Sequence, residues 1–145
     1  MKDITIASEL LEKDNLTLVI IKNGKTVFSS RNKGIEPLYT AVMEHKLELE
    51  GSSVADRVTG KAAAMICKYA AVKELKTGLI SDNAIKVLKE TNIIYEYETR
   101  TSFIKNRDKT GMCPIETLSL DTKNSIELLK KIEIFLDKIK NKEEK

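Results

Sequence analysis

The chain has 145 residues, 25 of them basic and 22 acidic, so its formal net charge is +3. This length is typical of one domain that buries a hydrophobic core without a disulfide or a metal ion to hold it together. The small net charge excludes a protein devoted throughout to polyanions, although it allows a local basic site. Two cysteines are too few for a secreted disulfide framework, no window is apolar enough to span a membrane, and the N-terminus lacks a signal-peptide core. We therefore expect a cytoplasmic protein without membrane partners.

The first elements predicted along the chain are a helix and a β-hairpin. Apolar residues recur at helical spacing over residues 3–13, with Asp3 as a candidate N-cap. Two β-branched apolar runs, at 16–22 and 25–29, flank the pair Asn23-Gly24. Such a pair predicts a tight hairpin turn, because both of its residues tolerate the positive φ that the turn requires.

Helices and strands alternate over the rest of the chain. Helix starts are indicated by Pro37, whose missing N–H costs nothing in a first turn, and by Ser81 as an N-cap. The alanine-rich helix that follows Gly60 is apolar around most of its circumference, which is typical of a helix packed closely on a sheet. The predicted elements are helices at 36–47, at 60 or 61 to 76, at 82–90 and at 121 or 125 to 139, strands at 77–80 and 93–97, and an irregular segment at 98–113.

This order of elements predicts an α/β protein, a three-layer α/β/α sandwich with a mixed sheet. The antiparallel hairpin distinguishes it from a doubly wound, all-parallel fold. No repeat or linker interrupts the pattern, so we predict one domain over residues 1–140. The charged residues 141–145 are predicted to form a flexible tail.

The first candidate site is the run Thr59-Gly60-Lys61 at the start of the alanine-rich helix. Unpaired amides and the helix dipole favour an anion there, Gly60 allows a ligand close to the backbone, and Lys61 adds a positive charge. The phosphate-binding pattern GxxxxGK[ST] fails, because Ala55 replaces its first glycine and Ala62 replaces its Ser or Thr. An NTPase is therefore excluded, and the alternative to an anion site is an ordinary helix start with an exposed lysine.

The second candidate site surrounds Cys113. If Pro114 is the first helical residue, Cys113 is the N-cap and Glu116 lies at the spacing of a capping box. The N–H groups of a helix terminus favour a thiolate, which makes Cys113 a candidate nucleophile or redox-sensitive thiol. The alternative is a turn with a packed cysteine, because the chain's single histidine, His45, is distant in sequence and a nucleophile needs a base.

Metal ligands are sparse, whereas two carboxylates are well placed. The histidine and the two cysteines form no CxxC or HxxxH pattern, so we predict no metal site and no required cofactor. Asp56 and Asp82 lie near predicted helix starts, which collect at the carboxyl edge of an α/β sheet, although Ser81 and Asp82 taken singly also fit helix capping. Asp56 joins Cys113 as a catalytic candidate. The predicted ligand-binding residues are Asp56, Arg57, Thr59, Gly60, Lys61, Ser81, Asp82, Asn83, Cys113 and Glu116.

Two motifs, Val54–Met65 and Thr110–Glu116, resemble those of a prokaryotic family of small single-domain proteins of unknown function with a cytidine-deaminase-like fold. Zinc deaminases carry H-x-E or C-x-E at the start of one helix and P-C-x-x-C at the start of the next βα unit. By position these would fall at 59–61 and 81–84, where this chain has no such zinc ligand. The resemblance thus implies the fold and its cleft, without zinc-dependent deamination.

The leading functional hypothesis is a protein that binds a nucleotide or another small phosphorylated ligand. Gly60 and Lys61 would hold an anion, Asp56 or Asp82 a ribose hydroxyl, and residues 98–116 would close over the cleft. Such a protein is either non-enzymatic or an enzyme that uses Cys113 or Asp56.

Two other functions are alternatives. Residues 22–33 carry four basic side chains and no acidic one, and residues 100–109 carry four basic side chains against one aspartate. Such stretches favour RNA binding through phosphates, although they include few aromatic residues for stacking. A non-enzymatic regulatory subunit, whose apolar surface meets a partner, is the other alternative.

Overall fold

A computed structural model, which describes residues 1–143, contains six helices and five strands. The chain begins with a helix and a hairpin, and helices and strands then alternate until two helices end it. The helices are α1 Asp3–Lys13, α2 Glu36–Leu49, α3 Lys61–Tyr69, α4 Asp82–Lys89, α5 Pro114–Leu120 and α6 Ser125–Glu143, and the strands are β1 Leu18–Lys22, β2 Lys25–Ser30, β3 Ser53–Thr59, β4 Glu74–Ser81 and β5 Ile94–Thr101.

The strands form one mixed sheet in the order β2-β1-β3-β4-β5. β1 pairs antiparallel with β2 and β3, whereas β3, β4 and β5 pair in parallel. Asn23 and Gly24 turn the hairpin with φ values of 52° and 78°, as predicted. The prediction of Asp3 as an N-cap is wrong: Lys2 takes that position, and the Asp3 carboxylate accepts the N–H groups of Asn23 and Gly24 at 2.8 and 2.9 Å. This aspartate therefore stabilises the hairpin turn.

Helices cover both faces of the sheet. Side chains alternate along β1, so that Val19 and Ile21 pack with α1 while Leu18 and Ile20 pack with α2 and α3. α4 lies in the same layer as α3, and α6 adds Leu128 to that larger core. The predicted three-layer arrangement with a mixed sheet is confirmed. No helix in residues 1–143 is both long and apolar enough to cross a membrane.

The central strand β3 is absent from the sequence prediction, which places a polar break and a helix lead-in there. The sequence of β3, SVADRVT, has two charged residues at its centre, and they conceal its apolar alternation. The Arg57 guanidinium donates to the carbonyl oxygens of Leu11 in α1 and of Leu16 just after α1, both at 2.9 Å. Asp56 faces a cavity on the other side of the sheet. The charge of Arg57 is thus accommodated by tertiary contacts that no local pattern records, whereas Asp56 faces the cavity.

Element bounds also differ where strand pairing overrides helix propensity. α3 ends at Tyr69, because Ala71 adopts a φ of 57° and β4 begins to pair with β3 at Glu74. The predicted helix to residue 76 is therefore wrong. β5 continues to Thr101, within the segment expected to be irregular. α6 includes residues 141–143 of the predicted tail, and residues 144–145 lie outside the described part of the chain.

Candidate functional site

A cavity of about 350 Å³ lies between the sheet and the N-terminal ends of α2 and α3. Its volume is within the range of small-molecule sites, about 300–1,000 Å³. The connection before α2, the segment 102–113 and the start of α5 complete its walls. Most of the wall is apolar, and its apolar side chains include Leu18, Ile35, Leu38, Ala63, Ile104 and Ile115.

The Glu116 side chain joins two walls of this cavity to the start of α4. It is 2% exposed, and its Oε1 accepts the backbone N–H of Lys61 at 2.9 Å and the Ser81 hydroxyl at 3.4 Å. Its Oε2 accepts the N–H of Ile104. These donors belong to the first turn of α3, the N-cap of α4 and the segment before α5. One buried carboxyl therefore connects two helix N-termini to the segment that covers the cavity, and the donors compensate its burial.

Glu116 does not form the predicted capping box. Pro114 begins α5 and Cys113 is its N-cap, as expected, but the Cys113 side chain makes no capping hydrogen bond. The backbone N–H of Cys113 donates to the Ile104 carbonyl at 2.8 Å. The capping-box interpretation is wrong, because Glu116 turns to the N-terminus of another helix, which is distant in sequence.

The first turn of α3 is thus occupied by a side chain of the protein itself. A Cβ added at Gly60 would lie 3.0 Å from Glu116 Oε1 and 3.2 Å from Ile104 Cγ1. The missing side chain of Gly60 therefore makes room for Glu116 and its neighbour. The Lys61 ammonium does not lie at this helix terminus but donates to the Leu120 carbonyl at 3.3 Å.

Asp56 lines the same cavity from β3, opposite Leu18 of β1. Burial raises the pKa of Asp56 to about 7, although the backbone N–H groups of Val58 and Arg57 act to lower it. A carboxyl group that titrates near neutral pH is suited to act as a general acid or base. Burial and the Asp56 charge also raise the pKa of Cys67 to about 12, which keeps that buried thiol protonated.

Four predicted site residues lie outside this cavity. Thr59 is buried and donates its hydroxyl to Thr77 at 2.9 Å, and Ser81 caps α4 by accepting the N–H of Ala84. Asp82 pairs with Arg100 at 2.6 Å, and Asn83 lines a second groove. The predicted residues that do line the cavity are Asp56, Arg57, Gly60, Lys61, Cys113 and Glu116.

Sequence reasoning did not name Lys33, Ile35 or Ile104 as site residues, although Lys33 lies in a noted basic stretch and Ile104 in the segment expected to close over the cleft. Lys33 and Ile35 precede α2, and Ile104 lies in the covering segment. None of them belongs to a motif, and no local signal places these two distant segments together. Within residues 1–143, no group of three His, Cys, Asp or Glu side chains is arranged to hold a metal ion.

A second groove, of about 720 Å³, lies between α3, α4 and the connection from α5 to α6. Four lysines line it: Lys61, Lys68, Lys86 and Lys123. Among these four, the described part of the chain forms one ion pair, between Lys68 and Glu90 at 3.7 Å. This groove, which Glu90 and Asp121 also line, differs from both basic stretches noted in the sequence.

The packing of Glu116 over Gly60 predicts the effect of adding one methyl group. Gly60→Ala forces the carboxyl away from its donors and is expected to lower the free energy of unfolding by about 1–3 kcal/mol. Urea unfolding measures this difference. The matched control is Gly111→Ala, because a Cβ at Gly111 meets nothing within 4 Å. Equal effects of the two substitutions would contradict this role of Gly60.

The raised pKa of Asp56 predicts how stability depends on pH. Since the folded-state pKa, about 7, exceeds the unfolded value of 3.8, the folded protein binds the extra proton, and this contribution to stability is lost as pH rises from about 4 to about 7. Asp56→Asn is therefore expected to raise stability at pH 8 by at most about 4 kcal/mol, with no such gain at pH 4. Urea unfolding across this range tests the prediction, with the exposed Asp14→Asn as control. A gain that does not depend on pH would contradict it.

Comparisons with known proteins agree with this architecture. The model of the family described as TM1506, domain of unknown function (DUF1893), matches residues 6–136. The crystal structure of a DUF1893 family protein, TM1506 from Thermotoga maritima, is similar, with 29% identity and a TM-score of 0.79 over 90% of this chain and 85% of that one. No curated protein matches the sequence.

A second solved structure comes from studies of A-to-I editing by tRNA:A34 deaminases at the wobble position of transfer RNA. It is 11% identical, with a TM-score of 0.38, over 91% of this chain and 95% of that one. At that degree of overlap no residue role or activity transfers to this chain. The family match spans most of the sequence, and the chain belongs to the DUF1893 family.

Proposed function

We propose that the protein binds a small nucleotide-type ligand in the cavity between the sheet, α2 and α3. The observation that carries this proposal is the cavity itself, which combines apolar walls with the half-buried carboxyl group of Asp56. Small-molecule sites have this composition, since an apolar body fills the pocket while a few polar groups orient it. A planar base suits the apolar walls, and the exposed Lys33 at the cavity wall suits a phosphate outside them.

Two groups in this cavity have chemistry to offer if the ligand is a substrate. Asp56 can exchange a proton near neutral pH, and the half-buried Cys113 thiol is a potential nucleophile. The proposal requires no metal ion and no cofactor. The segment 102–113 covers the cavity through Ile104 and Cys113, which would limit the access of water to a bound ligand.

A thermal-shift experiment tests the proposal. Nucleosides and nucleotides in excess over their Kd are expected to raise the Tm, because a ligand that binds only the folded state stabilises it. Alkylation of Cys113 with N-ethylmaleimide places a bulky group in the cavity wall and is expected to abolish the shift, while the buried Cys67 stays unmodified.

Cys113→Ser, treated with the same reagent, is the matched control and is expected to keep the ligand-induced shift. Intact-mass measurement verifies a single adduct on the unsubstituted protein. If no nucleoside or nucleotide shifts the Tm, the proposal fails. If the shift survives alkylation of Cys113, the ligand binds outside this cavity.

A second candidate function is RNA binding, which the lysine-lined groove favours. The basic stretches of the sequence are partly engaged, since Arg31 donates to the Asp14 carbonyl and Arg100 pairs with Asp82. The groove instead gathers lysines from α3, α4 and the connection between α5 and α6. Ammonium groups along a groove fit the phosphates of a single strand.

A gel-shift titration with single-stranded RNA at two salt concentrations tests this candidate. The affinity of the unsubstituted protein for RNA is expected to fall steeply as the salt concentration rises. At each salt concentration the triple variant K61A/K86A/K123A is expected to bind more weakly, because counterion release scales with the number of phosphates contacted. The triple variant K130A/K138A/K140A removes the same charge from α6 and is the control. Absence of binding at low salt would eliminate this function.

The third hypothesis, a regulatory subunit with an apolar docking surface, has little support in the structure. Ile126 and Ile134 of α6 are 63% and 52% exposed. Exposed apolar side chains of this kind are normal on protein surfaces.

A further inference from the structure

We infer that the ligand is held through hydrogen-bond-donating nitrogens turned toward Asp56 and not through its phosphate. This inference rests on the proposed function and names the ligand class within it. The class is a nucleobase or nucleoside with amino or ring N–H groups, and any phosphate group stays at the mouth of the cavity.

The cations beside the cavity are committed to other contacts. The Arg57 guanidinium donates to two carbonyl oxygens near α1 and pairs with Glu12 at 2.6 Å. The Lys61 ammonium donates to the Leu120 carbonyl. Among the cavity's cationic residues in the described part of the chain, this leaves Lys33, which is exposed. A phosphate inside the cavity would therefore meet the carboxyl groups of Asp56 and Glu116, with the exposed Lys33 left to offset the repulsion.

The first turn of α3, where an anion would otherwise bind, is also taken. The Lys61 N–H donates to Glu116 Oε1, and the same carboxyl group accepts from Ser81 and Ile104. A phosphate that displaced Glu116 would leave a buried carboxyl group without its donors. That loss opposes the exchange, since an unsatisfied buried polar group costs more than a typical hydrogen bond contributes.

Asp56 lacks the set of three hydrogen-bond donors that satisfies the Glu116 carboxyl group. Within residues 1–143 Asp56 forms no ion pair, although Lys33, Arg57 and Lys61 also line the cavity. Its carboxyl group has the backbone N–H groups of Val58 and Arg57, in its own strand, as donors and faces a cavity whose walls are mostly apolar. The amino and ring nitrogens of a nucleobase supply two neighbouring N–H donors, a geometry that matches a carboxylate.

Calorimetric titration of the full chain at pH 8 tests the inference. The probes are adenosine, cytidine and guanosine, their monophosphates, ribose 5-phosphate and inorganic phosphate. We expect at least one nucleoside to bind within about threefold of its monophosphate, and neither phosphate probe to compete with it. Asp56→Asn is expected to weaken nucleoside binding at least about tenfold, because an amide presents one acceptor where the carboxylate presents two.

Two controls separate binding from folding and from surface charge. Asp14→Asn removes an exposed carboxylate far from the cavity and is expected to leave affinity unchanged. Asp56→Asn should remain folded, as its Tm and circular dichroism will show. If ribose 5-phosphate competes, or Asp56→Asn binds as the unsubstituted protein does, the inference is overturned while the proposed function stands. If no nucleoside or nucleotide binds, both fail.

Discussion

The contact between the Glu116 carboxyl group and the first turn of α3 holds the candidate site together. A helix N-terminus has N–H groups without intrahelical partners, and a buried carboxyl group needs donors, so each satisfies the other. Because Ser81 and Ile104 donate to the same group, the contact also joins α4 and the covering segment. The N-terminus of α3, which would attract an anion, is thereby occupied by a side chain that connects parts of the fold. The cavity beside it is left to ligands of other chemistry.

Glu116 and Asp56 show how environment separates two carboxyl groups at one site. Glu116 has three hydrogen-bond donors and is almost completely buried. Asp56 forms no ion pair within residues 1–143, and burial raises its pKa to about 7. An ionised aspartate in such surroundings reduces the stability of the folded protein above neutral pH. A neutral residue at this position would not reduce it. Strained or costly groups of this kind are more frequent at functional sites than elsewhere, and this supports the cavity as the site.

Local signals predicted much of the fold. Asn23-Gly24, Pro37 and Ser81 act through the turns and helix ends in which they lie, so their roles are visible in a few residues of sequence. β3 escaped prediction because Asp56 and Arg57 interrupt its pattern, and because the partners of Arg57 lie in α1 and just after it, far back along the chain. For the candidate site, the sequence placed Asp56, Gly60 and Glu116 among the chosen residues, while Lys33 and Ile104 had no motif to mark them.

The sequence by itself determined the hairpin, the helix starts and the α/β class, because turn residues, caps and periodicity act over short distances. Only the tertiary structure decided that α3 stops at Tyr69, that Glu116 binds to α3 and that Asp56 lies in the cavity. These outcomes depend on pairing between β3 and β4 and on packing of α5 against α3. Residue types reveal which groups need a partner. Long-range packing decides which partner each group receives, and here it places the Glu116 carboxyl group at the helix start where the sequence predicts an anion.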